Sequence, residues 1–184
     1  MKRAPSAIAT PRLQLRQLRD EDTEPFAAMN ADVRVMEFFP RPWSREESKA
    51  ALVRIEEGFQ DRGFGIYAVD VQNAFAGILG LSVPSFDAHF TPCVEILWRL
   101  APQFWGRGYA SEAAEAVLNM ASQKLAIAEV VAFTVVDNLR SIRVMERLGM
   151  QRDPTGDFDH PAVAEPRLKR HLLYRTIATC QMGD

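Results

Sequence analysis

Cysteine is nearly absent from this chain of 184 residues: Cys93 and Cys180 stand far apart and in no C-x-x-C spacing. A disulfide framework and a cysteine-rich zinc site are therefore not expected, and a reducing cytosol fits best. Long apolar runs are also missing, none approaching the ~18–20 residues that cross a bilayer. Met1-Lys2-Arg3-Ala4-Pro5 carries charge, but no apolar stretch follows it, so a secretory signal is not expected. Neither sign of charge is in excess, since 22 Lys and Arg stand against 24 Asp and Glu, a net charge of −2. Nucleic-acid binding driven by bulk charge is accordingly not expected, while a local charged patch remains compatible with the near-neutral total. Internal repeats, low-complexity tracts and a G-x-x-x-x-G-K-[ST] phosphate loop are all lacking.

What is present suits a globular chain: 47% hydrophobic and 25% charged residues, with length for one domain and a sizeable core. A single domain over 1–184 is expected, with 1–10 as a loose tail. Leu13 and Leu15 alternate with polar neighbours and predict a strand near 11–18. Asp20 to Asp22 offer N-caps for a short helix ending around Asn30. Ser44 and Glu47 have capping-box spacing for a helix over 45–60. Strands are expected over 64–71 and 75–83, joined by a tight turn at Gln72-Asn73, and again over 94–100. Ala110, Ala113, Ala114, Val117, Leu118 and Ala121 form a helical stripe. Val130 to Val136 is apolar on both faces, as a buried central strand is. Leu139, Ile142, Met145 and Leu148 mark another helix, with Gly149 as its C-terminal cap. A loop rich in Asp and Pro then precedes a closing strand over His171–Ile177. The order is mixed α/β.

The chemistry concentrates in Gln103-Phe104-Trp105-Gly106-Arg107-Gly108-Tyr109-Ala110. A strand ends, a glycine-containing turn follows and an amphipathic helix begins at once. Such a turn presents unpaired backbone N–H groups to an anion at the positive end of the helix dipole, and a pyrophosphate is the natural guest. A dinucleotide fingerprint fits less well, because Ser111 occupies the position of its last glycine or alanine.

Gln103-x-x-Gly106-x-Gly108 with Ala110 resembles the signature of the GNAT superfamily of N-acetyltransferases. Glu95-Ile96-Leu97-Trp98-Arg99-Leu100, Trp105 through Ala113, Asn138 through Met150, and Asp157-Phe158-Asp159-His160-Pro161 are similar to the branch containing bacterial ribosomal-protein N-terminal acetyltransferases. The resemblance spans roughly 11–177 and implies a mixed, mostly antiparallel sheet, splayed near its middle and flanked by helices. It implies acetyl-CoA as cosubstrate and no metal. The cofactor's pyrophosphate would rest on the backbone of Trp105, Gly106, Arg107, Gly108, Tyr109 and Ala110, with Ser111 nearby and Gln103 opening the motif. Main-chain groups at Trp98 and Leu100 would pair with pantetheine, and Asn138 would hydrogen-bond it or simply cap its helix.

Among catalytic groups, the resemblance implies Glu95 as the base that accepts the amine proton. Many members carry a tyrosine acid where this chain has Met145; Ser141, which matches a hydroxyl position of the ribosomal-protein branch, is the favoured donor instead and Tyr174 a lesser one. His160 is a candidate proton relay and Cys93 a candidate acyl carrier. Phe38, Phe39 and Trp43 are candidates either for the acceptor wall or for the core. Direct transfer in a ternary complex to a primary amine is expected, the acceptor being a protein N-terminus or a small amine such as a polyamine or antibiotic. A CoA-binding sensor with weak catalysis is the rival reading, and a homodimer is left open.

Overall fold

The computed structural model describes residues 2–176. Its strands are β1 (Ala7–Ala9), β2 (Leu13–Arg16), β3 (Ile66–Val71), β4 (Ala74–Ser82), β5 (Glu95–Leu100), β6 (Val131–Val135), β7 (Gln151–Asp159) and β8 (Arg170–Arg175). Its α-helices are α1 (Thr23–Ala31), α2 (Arg45–Arg62), α3 (Tyr109–Met120), α4 (Leu139–Arg147) and the short α5 (Pro166–Lys169).

Local chemistry sets several boundaries. The Ser44 hydroxyl accepts from Glu47 N–H while the Glu47 carboxylate accepts from Ser44 N–H, closing both ends of a capping box on α2. Gln72 and Asn73 both take positive φ, 50° and 64°, as a two-residue turn between twisted antiparallel strands requires. Gly149, at φ 71°, stops α4 one residue beyond its last turn.

The strands form one eight-stranded sheet in the order β1-β2-β3-β4-β5-β6-β8-β7. Every neighbouring pair is antiparallel except β5 with β6. One face packs Leu13, Leu15, Leu79, Ile96 and Ala132 against Ala113, Ala114 and Val117 of α3 and Met145 of α4. The other face packs Ile78 against Phe26 and Met29 of α1 and Ala51 of α2. Each fully buried aliphatic side chain of this kind contributes about 2 kcal/mol of transfer free energy. This is the expected mixed, mostly antiparallel α/β architecture.

Two expectations are corrected. Of the expected loose tail over 1–10, residues 4–9 are tied down: Ala7–Ala9 pairs with Gln14–Arg16, Ala4 N–H donates to the Gly63 carbonyl at 2.7 Å, and the Tyr67 hydroxyl donates to the Pro5 carbonyl at 2.7 Å. The Asp- and Pro-rich loop is largely strand β7, whose ladder to β8 breaks between Asp153 and Phe158, which accommodates Pro154. The end of the expected closing strand at Ile177, and Cys180, lie outside the described residues.

β5 and β6 share one register pair, Glu95 with Val131, closed by Val131 N–H donating to the Val94 carbonyl at 2.9 Å. From there to Leu100 the β6-facing edge of β5 has no ladder, so the sheet is splayed at its middle. β4 holds the opposite edge of β5 across six residue pairs. On its other side β4 bulges against β3: Val69 faces Gly77 and Asp70 faces Phe75, and the intervening Ala76 turns its carbonyl toward β5 to accept from Ala101 N–H at 2.9 Å. Gly77 makes this possible, with φ of 146° and a position where a Cβ would stand 2.2 Å from the Arg99 carbonyl. Gly77→Ala is expected to lower unfolding free energy by at least about 2 kcal/mol in chemical denaturation. A loss under about 0.5 kcal/mol would contradict the bulge as drawn.

Candidate active site

The turn after β5 is built from backbone. Pro102–Phe104 makes one 3-10 turn, Trp105 Nε1 donates to the Leu100 carbonyl at 2.6 Å, and Gly106 and Gly108 take φ of 72° and 79°. Alternating left-handed residues of this kind turn successive N–H groups toward one concavity. Gly108 is the N-cap of α3 and supplies no side-chain acceptor. The first-turn N–H groups of Tyr109, Ala110 and Ser111 therefore have no helical partner. Nothing lies within 4 Å of the place where a Gly106 Cβ would stand. The Ser111 hydroxyl oxygen is buried with no hydrogen-bond partner among the described residues.

Arg12 and Glu112 brace this turn against the first hairpin. Arg12 Nε meets Glu112 Oε2 at 2.6 Å, its Nη1 donates to the Arg107 carbonyl at 2.9 Å, and its guanidinium carbon lies 4.8 Å from the Tyr109 ring centre. Thr10 Oγ1 donates to Glu112 Oε1 at 2.6 Å.

A cleft of about 330 Å³ opens above the turn, between the end of β5 and the start of α4. It brings together Trp98, Leu100, Trp105, Gly106, Gly108, Tyr109, Ala110 and Ser111 with Asn138 and Ser141. Gln103 and Arg107 are exposed and outside its lining. Phe38 and Phe39 line it, and Trp43 packs in the cluster under α1 and α2.

Asn138 is fully engaged as the N-cap of α4. Its Oδ1 accepts from Ser141 N–H at 3.2 Å, and its Nδ2 donates to Thr134 Oγ1 at 2.9 Å and Ser141 Oγ at 3.1 Å. Because Ser141 Oγ accepts there, its own proton is left to donate. Sequence reasoning missed the cationic side of the cleft, although its signal was present: Arg140, Arg143 and Arg147 recur at helical spacing along α4. Arg140 pairs with Glu37 at 2.6 Å and stands over the Trp105 ring at 4.6 Å.

Glu95 sits at the single β5–β6 rung, outside the lining of the cleft. Strand alternation puts Glu95, Leu97 and Arg99 on the α1–α2 face, and Ile96, Trp98 and Leu100 on the α3–α4 face. Burial pushes the Glu95 carboxyl up to about 7, with hydrogen bonding from Ser82 across the β4–β5 ladder pulling the other way. Arg99, also missed, is a charge inside an otherwise apolar stretch of strand. Its Nη1 donates to Asn30 Oδ1 at 2.5 Å, and its guanidinium carbon lies 4.3 Å from the Phe39 ring centre and 4.7 Å from that of Trp43.

The remaining candidates lie apart from the cleft. Met145 is 1% exposed in the core, and Tyr174 is buried beside it. His160 sits tilted in an aromatic cluster, 4.5 Å from Phe86 and 5.2 Å from His171 between ring centres, and burial lowers its pKa. Burial pushes the Cys93 thiol up to about 11, so it stays protonated and a poor nucleophile at neutral pH.

Residues 12–151 match the model of the acetyltransferase (GNAT) domain. The chain belongs to the GNAT acetyltransferase family, whose enzymes use acetyl-CoA. Among relatives, it is 29% identical to the uncharacterized N-acetyltransferase YnaD of Bacillus subtilis over 146 residues, covering 79% of this chain and 83% of that one. It is also 29% identical to the FsC-acetyl coenzyme A-N(2)-transacetylase of Aspergillus fumigatus over 172 residues, covering 86% of this chain and 72% of the relative. The fold is shared with a GNAT-family acetyltransferase from Bacillus anthracis, at a TM-score of 0.76 and 24% identity, covering 94% of this chain and 98% of that one. It is shared equally with the ribosomal alpha-N-protein acetyltransferase RimL in complex with coenzyme A, at 0.76 and 20% identity, covering 93% and 97%.

The raised Glu95 pKa predicts a carboxyl resonance that titrates near pH 7 in carbon-13 NMR and vanishes in Glu95→Gln. The folded state then holds a proton that the unfolded chain releases near pH 4.5, so this group lowers stability as pH rises between about 4.5 and 7. Titration of Glu95 below pH 5 would contradict the burial described.

Proposed function

We propose that this chain transfers the acetyl group of acetyl-CoA directly to a primary amine within a ternary complex, with a protein N-terminus as acceptor. The observation that carries the reading is the splay of β5 from β6, which opens one edge of β5 beside an uncapped helix N-terminus. The residues present fit the cosubstrate. The first-turn N–H groups of Tyr109 to Ser111, with open space beside Gly106, suit a pyrophosphate, and the orphaned Ser111 hydroxyl suits the same anion. The open edge at Trp98 and Leu100 suits the amides of a pantetheine arm, added as a strand is added to a sheet. Arg140, Arg143 and Arg147 supply positive charge at the rim.

When bound, acetyl-CoA supplies an activated thioester. Glu95 accepts the proton that the attacking ammonium must lose, and its carboxyl at about 7 is matched to that task near neutral pH. Ser141, with Asn138 occupying its acceptor side, donates toward the departing sulfur. Backbone N–H groups on the open edge of β5 polarise the carbonyl. Met145 takes no part, being sealed in the core. A protein N-terminus is supported by the resemblance of the Glu95–Ala113 and Asn138–Met150 segments and by the RimL fold match. A small amine stands as the second acceptor class. The reading places the enzyme in the cytosol, as one domain over 1–184.

Thiol release from acetyl-CoA, measured with N-terminal peptides and small amines, tests the proposal. Acceptor-dependent release is expected with at least one class, and none with either class would overturn it. kcat/KM should rise with pH through about 7 as Glu95 ionises. Glu95→Gln should lower kcat at least about 100-fold while CoA still binds. Ser141→Ala should lower kcat about tenfold or more with little change in KM for the acceptor, and an unchanged kcat would remove it from the mechanism.

A further inference from the structure

Arg99 is a partly buried cation with no anion of its own. Among the described residues no carboxylate pairs with it. Nη1 donates to the neutral Asn30 amide, and Nε is buried without any partner. Asn30 is fully enclosed and is itself held by Ser48, whose hydroxyl accepts from Asn30 Nδ2 at 3.2 Å and donates to the Ser44 carbonyl at 3.0 Å. The rings of Phe39 and Trp43 flank the guanidinium, so its plane is fixed before any ligand arrives. A charge withdrawn from water is costly unless something compensates it. Two aromatic faces and one amide offset part of that, and the unused Nε–H remains.

The side chain also lines the cleft. Residues Ile96, Trp98 and Leu100 share the face of α3 and its phosphate-type turn, whereas Arg99 points to the opposite face, among residues of α1 and the segment after it. Arg99 enters the cleft beside Phe39, on the strand face away from the glycine turn, so its missing anion is assigned to the acceptor rather than to the pyrophosphate. Burial lowers its pKa to about 10, which still leaves it charged at neutral pH.

We propose that Arg99 is a specificity-determining residue that receives a carboxylate of the amine acceptor. This rests on the acetyl-transfer reading above, in which Glu95 meets the amine. Glu95 and Arg99 lie on one face of β5, four positions apart. At the strand rise of about 3.3 Å per residue their backbones are separated by about 13 Å. A peptide N-terminus with an acidic residue at its second or third position covers the span together with the side chains that reach into it, each extended residue adding about 3.5 Å. A guanidinium is also the side chain best shaped to take a carboxylate in two parallel hydrogen bonds.

The test uses the intact protein saturated with CoA, which permits binding without turnover. Paired hexapeptides begin with Ala and carry either Glu or Gln at positions two and three. Binding is followed by calorimetry and by tryptophan fluorescence, to which Trp43, lying against Arg99, contributes. The Glu peptide is expected to bind at least about tenfold more tightly than its Gln partner. Arg99→Gln should erase that preference while CoA affinity is kept, and Arg99→Lys should restore part of it. In transfer assays the same loss should appear in KM for the Glu peptide and hardly in kcat. Equal binding of the pair, binding of neither, or a preference that survives in Arg99→Gln would overturn the proposal. The wild-type comparison stands even if a variant fails to fold. Transfer to amines without acid preference would retire Arg99 alone, whereas acid-selective binding without transfer would retire the catalytic reading and keep the carboxylate site.

Discussion

The structure depends on a pairing that stops after one rung. β5 and β6 run parallel and meet at Glu95 and Val131, and beyond that point their edges part. An unpaired sheet edge in the middle of a domain leaves backbone groups unsatisfied, and this costs free energy unless something else meets them. The remainder of the molecule holds the gap open. β4 grips the far edge of β5 through a six-pair ladder, and β8 grips the far edge of β6 through five pairs, so neither strand is free to close on the other. Helices α3 and α4 follow directly on β5 and β6, and their N-termini flank the opening. The free edge, the uncapped turn and the Ser141 hydroxyl are therefore consequences of one topological choice.

The two faces of β5 divide the work. Trp98 and Leu100 lie with α3 and α4, where a long phosphorylated cosubstrate finds an open strand edge and a helix N-terminus. Glu95 and Arg99 look toward α1 and α2, where the side chains are acidic, cationic and aromatic. Alternation along a strand puts cosubstrate chemistry and acceptor chemistry on opposite sides of one backbone, a few ångströms apart. Burial then tunes both ionisable groups in the direction of neutrality, raising the glutamate and lowering the arginine.

Elements governed by local chemistry were legible in the sequence. The Ser44–Glu47 box, the Gln72-Asn73 turn, the alanine-rich stripe of α3 and the glycine pair at 106 and 108 each carry their cause within a few residues. Elements that exist through a distant partner were not. β1 is three residues whose ladder depends on β2, and β7 hides Pro154 in a register break that only β8 reveals. The backbone half of the site was readable because Gly106, Gly108 and Ala110 form a recognisable pattern. Arg99 escaped because its meaning lies in Asn30, Phe39 and Trp43, which the chain reaches some sixty positions earlier. Asn138 was read as a cofactor contact or a cap, and the structure shows the cap in full, with both ends of its amide engaged.

The central claim is that the splayed edge and the glycine turn together form a seat for coenzyme A. Calorimetric titration with CoA and with pantetheine, which lacks the pyrophosphate and nucleotide, addresses both halves of that seat. The account predicts binding of one CoA per chain, with pantetheine at least about a hundredfold weaker because the turn's N–H groups and the α4 arginines lose their anions. Absence of CoA binding, or equal affinity for the two ligands, would contradict it.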